Sequence, residues 1–546
     1  MTDQKKIGVV TGVTSGTLSA VLDPGITSLA KEINGKVYFI GQIGTYVLVP
    51  VGKLIIVAMV SEFKKVDFAE NGKFTQRCIM ELNLVGTVKS GRYERGVSVI
   101  PPVDSPIFLA EDADLTAVFA IFRKYGFSIG QLSLFEKERA YLDPNKFFGK
   151  HLAVLGSSGA GKSCTVSSLL QKVADFPDTN IIILDIHNEY RDAFPDSCKY
   201  LNIAELELPY WLMNLAELQE TFIDERDENA SSQLTVLKDL IVQSKKGKNP
   251  QLSDVLTVDT PVFFDLSEVR AKMQYLDTEK ISGGAQGAKE GPFYGKFARF
   301  LVRLDSRLND PRYAFMFKPK VYIQSGSFHE LLSQIFGSEG SAQVTIMDMS
   351  GIPFDIVNTI VSLIARLAFD FNFWNPNRKE FPILLVFEEA HNYLPSGGSN
   401  TGTSAARRTV ERIAKEGRKY GVSCMIISQR PAEVSETILS QCNNFVILRL
   451  TNPVDQNYVK KLMSDTFSGL IDTLPSLRQG EALVIGEAIP MPLRVQIDFP
   501  NPEPNSSDIK FYDKWKQSDA KTDIAEVIDK WWKQIRTTHP HAEEPA

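Results

Sequence analysis

The sequence predicts an α/β protein: a parallel-sheet core behind a small N-terminal β barrel, with a mainly helical insertion inside the core. Three observations predict it. Short Val-, Ile- and Tyr-rich runs punctuated by glycine fill the first 110 residues or so. All-apolar runs of strand length then alternate with helical patterns. A glycine-rich loop joins one such run to a helix.

In residues 1–110 the expected strands are Val37–Ile40, Tyr46–Val49, Leu54–Val60, Ile79–Val88 and Val97–Ile100. Regularly spaced turn signals between short strands suggest a small barrel or sandwich, which Pro101, Pro102 and Pro106 close. Residues 111–205 and 341–500 carry the core strands Leu152–Leu155, Ile181–Leu184, Ile383–Phe387 and Met425–Ile427. Residues 206–340 have helical periodicity, as in Leu234, Leu237, Leu240 and Ile241, and include a glycine-rich stretch, Gly283–Gly291. In residues 501–546 a polar linker leads to a helix striped with Ile524, Val527, Ile528, Trp531, Trp532 and Ile535.

Composition narrows the function. Across 546 residues, 60 Lys and Arg stand against 66 Asp and Glu, so a uniformly basic coat for nucleic acid is excluded. Five dispersed cysteines form no C-x-x-C pair, and the histidines show no metal spacing. The N-terminus lacks a signal-peptide core, and the most apolar stretch, Tyr46–Val60, is broken by Pro50 and Lys53. With no run of about 20 apolar residues, the expectation is a cytoplasmic protein without a membrane span.

Gly156-Ser157-Ser158-Gly159-Ala160-Gly161-Lys162-Ser163 fits G-x-x-x-x-G-K-[ST], between an apolar strand and a helix expected from Cys164 to Val173. Glycines let backbone N–H groups curl around phosphate oxygens, and the helix N-terminus adds partial positive charge. Lys162 is expected on the β- and γ-phosphates of ATP and Ser163 on Mg²⁺. Ile383–Phe387 ends in Glu388 and Glu389. The first carboxylate suits the metal shell and the second suits activation of a water. Asp185, at the end of another strand, reads equally as a site carboxylate or as a cap. Gln429, after Met425–Ser428, reads as a sensor of the γ-phosphate or as a turn residue. Arg407, Arg408, Arg412, Lys415, Arg418 and Lys419 are expected on one helix. That helix reads as a solvated face, or as the source of a finger for a neighbouring subunit's ATP from Arg412 or Arg418. His187 and His391 read as structural hydrogen bonders. Ile281–Gln286 looks like a transporter signature, but about a hundred residues separate it from the paired glutamates, so that reading is rejected.

The ordered set Gly149–Ser163, Asp185–Tyr190, Glu388–Tyr393, Arg412–Gly421, Ser428–Pro431 and Gly480–Gly486 resembles the HerA branch of the HerA/FtsK superfamily. The resemblance implies a RecA-like core and a homohexameric ring with ATP at subunit interfaces. It implies double-stranded DNA in the central channel and a barrel that docks a partner nuclease or other effector, in DNA end processing or anti-phage defence. It makes Lys162, Glu389, Gln429, Arg412 and Arg418 catalytic. Gly156, Ser158, Gly159, Ala160, Gly161, Lys162, Ser163, Cys164, Asp185 and Lys150 become nucleotide contacts, and Ser163 and Glu388 metal ligands. Lys150 stands where the family often has an arginine, and lysine lacks the planar fork. Glu388 stands where the family's metal ligand is more often aspartate. The competing reading is a ring-shaped ATPase scaffold that assembles and regulates an effector without processive movement.

Overall fold

A computed structural model describes residues 3–533 apart from 15, 25, 27–29, 34, 71–72, 135–137, 283–287, 338–342, 398–403, 464–467 and 517–521. The first part of the chain supplies strands β1 (Lys6–Val13), β2 (Thr17–Leu22), β3 (Ala30–Ile33), β4 (Lys36–Phe39), β5 (Tyr46–Val51), β6 (Leu54–Glu70), β7 (Lys73–Lys89), β8 (Arg92–Arg95) and β9 (Pro106–Leu109). Next come β10 (Ser128–Leu132), β11 (Arg139–Tyr141), β12 (Leu152–Leu155), β13 (Ile181–Asp185), β14 (Cys198–Asn202), β15 (Lys280–Ser282) and β16 (Ala288–Glu290). The last are β17 (Val344–Asp348), β18 (Ile383–Phe387), β19 (Val422–Ser428), β20 (Asn444–Ile447), β21 (Glu481–Gly486) and β22 (Leu493–Ile497).

Compactness divides the chain into two units. The first comprises Met1–Val173, Pro376–Gly397 and Glu411–Asn501. The second comprises Ala174–Asn375, Gly398–Val410 and Pro502–Ala546. This differs from the five-part division expected above, because barrel and phosphate-binding loop fall in one unit.

In the first unit β2, β1, β9, β5, β6 and β7 pair in that order, and β7 returns to β2, so the barrel closes. Ile7, Val10, Leu18, Ala20, Val49, Ile56, Ala58, Val60, Met80 and Leu82 fill it. Gly8 is required there: a Cβ would lie 2.2 Å from the Val21 carbonyl oxygen. Expectation and structure part in two places. Val97–Ile100 is irregular, with Val99 and Ile100 exposed, because the prolines that follow cannot donate to a ladder. Conversely β6 and β7 run 17 residues each, well past Val60. Tyr93 on β8 donates 3.0 Å to the Pro490 carbonyl and joins the barrel to the sheet.

That sheet runs β11-β10-β22-β21-β20-β12-β19-β18. β20, β12, β19 and β18 are parallel; the remaining pairs are antiparallel. Every residue of β12, β18 and β19 is buried, which is why these strands read as unbroken apolar runs.

In the second unit β13, β17 and β14 are parallel neighbours. Residues 206–340 here form helices Leu215–Phe222, Ala230–Lys248, Leu266–Thr278, Ala298–Asn309 and Phe328–Phe336, with a short β15–β16 hairpin. Most of the Gly283–Gly291 stretch lies outside the described residues. The helix Phe354–Trp374 holds Arg366, whose guanidinium meets buried Glu217 at 3.0 Å. The C-terminal stripe forms the helix Ile524–Trp532, with Trp531 and Trp532 exposed; Ile535 lies outside the described residues.

Candidate nucleotide site

The loop Gly156–Ser163 leaves β12 at its C-terminal end and turns into the helix Lys162–Gln171. Its glycines answer two needs. Gly159 and Gly161 have φ of 70° and 98°, which favours glycine. A Cβ at Gly156 would lie 2.9 Å from Leu448. The loop is tied at both ends. Gly156 N donates 3.2 Å to Ser428 O, Ser157 N 2.9 Å to Arg449 O, and Gly480 N 3.1 Å to Ala160 O. Ser158 and Gly159 stay exposed, while Ser163 and Cys164 sit half-buried in the first helical turn, where unpaired N–H groups favour anions.

β18 delivers Glu388 and Glu389 to the same edge. β19 lies between it and the loop strand and ends at Ser428, just before Gln429. Glu389 takes φ 45° and ψ 48°. Its carboxylate lies 3.8 Å from Lys162 Nζ, and both side chains are nearly buried. The Gln429 backbone N–H donates to it at 3.4 Å. His391 Nδ1 lies 3.2 Å from Glu389 and 3.3 Å from Ser428 Oγ. An ionised carboxylate only accepts, so Nδ1 carries the hydrogen. Burial pushes the Glu389 carboxyl up. The His391 hydrogen bond and the Lys162 charge outweigh it and hold the group below its ordinary value. His391 thus acts as a hydrogen bonder to the Glu389 carboxylate. Glu388 is 3% exposed, and its carbonyl accepts 2.6 Å from Tyr393.

Three expected site residues have other partners in the structure. Asp185, in the second unit, accepts backbone N–H bonds from His187 (3.2 Å), Glu189 (2.9 Å) and Tyr190 (3.1 Å). These bonds turn the chain after β13. Lys150 precedes β12, so the four residues of that strand, roughly 13 Å, separate it from its own loop. It pairs instead with Glu487. Arg418 is not helical. The helix stops at Glu416, and Gly417–Tyr420 is a 3₁₀ turn. The 3₁₀ segment closes on Gly421, φ 72°, and Gly417 lets the chain pass close, since a Cβ there would lie 2.5 Å from Val422 O. Arg418 donates 2.7 Å to Gln441 O and also reaches Asn443. Arg412 stays on the helix, 3.6 Å from Glu416. Much of the loop before that helix, 398–403, lies outside the described residues.

A phosphate loop, paired glutamates one strand away and a strand-end glutamine between them define a RecA-like P-loop ATPase. Residues 127–368 match the family described as Helicase HerA, central domain. A DNA double-strand break repair helicase HerA of Sulfolobus acidocaldarius is 29% identical over 442 residues, covering 79% of this chain and 81% of that one. The protein of the same description from Saccharolobus solfataricus is 29% identical over 434 residues, covering 78% and 79%. A probable helicase of Methanocaldococcus jannaschii is 27% identical over 463 residues, covering 83% and 80%. The solved structure of VirB4 of Thermoanaerobacter pseudethanolicus is 16% identical, covers 68% of this chain and 96% of that one, and gives a TM-score of 0.49. The chain is similar to the HerA helicases over most of its length, and its residues 127–368 match their central domain. Among the described residues no helix is long and apolar enough to cross a membrane.

Proposed function

We propose that the chain is an ATP-dependent translocase or helicase on double-stranded DNA, working as a homohexameric ring whose nucleotide sites are completed between neighbours. One observation supports this most: cationic groups gather at both ends of β12. Lys162 stands by Glu389 at one end. Lys150 and Arg418 are tied to Glu487 and Asn443 at the other. A head-to-tail ring joins two different faces of each protomer. The second cluster of one copy then faces the loop of the next, and Lys150 or Arg418, with Arg412 as the other candidate, supplies the finger.

In the site, the loop amides and Lys162 hold the β- and γ-phosphates. Glu389 takes a proton from water as its oxygen bonds to the γ-phosphorus. The bond from that phosphorus to the bridging oxygen breaks, and ADP leaves. Gln429 senses the γ-phosphate. The Ser163 hydroxyl and the Glu388 carboxylate are hard oxygen donors that fit Mg²⁺, which when bound neutralises phosphate charge. DNA contacts are directed at phosphates and are sensitive to salt. The relatives' descriptions as DNA double-strand break repair helicases support DNA as the track. The barrel docks a partner nuclease or other effector, in end processing or anti-phage defence, and the exposed Trp531–Trp532 helix braces an adjacent subunit.

The test is steady-state ATPase with and without duplex DNA, together with displacement of a triplex roadblock. Lys162→Ala loses ATP binding or turnover. Glu389→Gln binds ATP but turns over at least about 100-fold more slowly. Near-normal turnover by Glu389→Gln removes that residue from its role. No stimulation by DNA and no displacement leaves an ATPase scaffold.

A further inference from the structure

Beyond β12, on the edge away from the phosphate loop, four side chains form one chain of contacts. Lys150 Nζ pairs with one oxygen of Glu487. The other oxygen of Glu487 accepts 2.7 Å from Asn443 Nδ2. The Asn443 amide oxygen accepts from Arg418. The backbone reinforces the arrangement: Asn443 N donates 3.1 Å to Lys150 O, and Glu487 N donates 3.1 Å to Asn443 O. Gly486 lets these segments approach, since a Cβ there would lie 2.5 Å from both Asn443 O and the Asn444 side-chain oxygen. The barrel grips the same turn, with Arg95 donating 3.0 Å to Gly486 O and Tyr93 donating 3.0 Å to Pro490 O.

The chemistry gives these contacts a purpose. Lysine and arginine carry several freely rotating bonds, and a finger that must meet a neighbour's phosphates gains from being held in advance. Glu487 and Asn443 sit between the two cations and contact both. The Lys150 hydrogen bond holds the Glu487 carboxyl below its ordinary value, so the clamp carries a full negative charge at neutral pH. Lys150, Glu487 and Arg418 are all partly exposed, within reach of a second chain.

We infer that Glu487 and Asn443 are positioning residues that hold Lys150 and Arg418 together as a paired finger for the next protomer's nucleotide. The inference rests on the shared-site reading above. Neither residue touches nucleotide bound to its own chain. Removing them therefore leaves ATP affinity intact and slows turnover, as misplacement by about 1 Å can cost roughly 100-fold.

The experiment uses the full chain. For Glu487→Ala and Asn443→Ala the expected result is a fall in kcat of about 10- to 100-fold, with KM for ATP and equilibrium binding of a fluorescent ATP analogue within about 2-fold. Glu487→Gln keeps the side-chain volume, and decides the question if Glu487→Ala lowers Tm. The decisive arm co-expresses the slow Glu487 variant with Lys162→Ala, under different tags, and isolates mixed rings. In an equal random mixture about a quarter of interfaces join an intact loop to an intact finger, so turnover recovers to about a quarter of the wild-type rate. Arg418→Ala with Lys162→Ala, and Lys150→Ala with Lys162→Ala, are the controls. A wild-type kcat for Glu487→Gln overturns the inference. So does a slow Glu487 variant that Lys162→Ala fails to rescue while either control pair is rescued; in both cases the shared site stands. Slow finger variants of which neither pair recovers overturn the shared site itself, and the inference with it.

Discussion

Glu389 holds a left-handed backbone, φ 45°, that side chains other than glycine seldom adopt. Such strain costs about 1–3 kcal/mol and persists where the surroundings enforce it. Here the surroundings are the Lys162 ammonium, the His391 ring and the Gln429 amide. A sequence shows two glutamates after an apolar run; it does not show which backbone well each occupies. The loop Gly156–Ser163 was fully legible, because its glycine spacing is itself the geometry. For Asp185 the sequence leaves two readings open, since a carboxylate after a strand looks the same whether it caps a turn or meets a ligand. His151 offers a test at this scale. Its ring is 1% exposed, and Nδ1 accepts 3.0 Å from Cys424 N. Burial, aided by the Arg418 charge, pushes its pKa down to about 4. An unfolded histidine protonates below about 6.5 while the folded one stays neutral, so stability falls as pH drops from about 6.5 toward 4, by up to about 3 kcal/mol. His151 has φ 47°, and His151→Asn, which tolerates that left-handed backbone, is expected to flatten the decline of Tm with falling pH. An unchanged pH profile counts against the buried neutral ring.

Strand and helix limits were read where burial sets a pattern and misread where it sets none. β12 and β18 announce themselves because both faces are covered. The outer parts of β6 and β7 do not, since Ser61–Asp67 presents no buried residue to set a pattern. Pairing along the whole hairpin, with bulges at Val57/Ala58 and Val60/Glu62, carries the strand onward. The basic helix was predicted to continue through Lys419. It ends at Glu416, and at Gly417 the chain passes against Val422 O with no room for a Cβ. Gly417→Ala is expected to destabilise the protein by about 1–3 kcal/mol, seen as a lower Tm, and to move Arg418 out of its contacts. Unchanged Tm and turnover would show that the turn can relax freely.

At the scale of the whole molecule, the proposed ring assigns two half-sites to one protomer. The phosphate loop with Glu389 and Gln429 forms one; Lys150, Arg418, Asn443 and Glu487 form the other. The family resemblance pointed to residues of both, but only the sheet order shows that they lie at opposite ends of one strand. Glu487 itself was missed, since a lone acidic residue after Gly486 carries no motif. In the proposed ring a second copy completes each site before hydrolysis proceeds at speed. Specific ATPase activity measured against protein concentration, with assembly mass followed on the same samples, tests this most directly. Turnover per chain is expected to be negligible while the protein is monomeric and to rise with the ring. A monomer that hydrolyses ATP at the full per-chain rate contradicts the account.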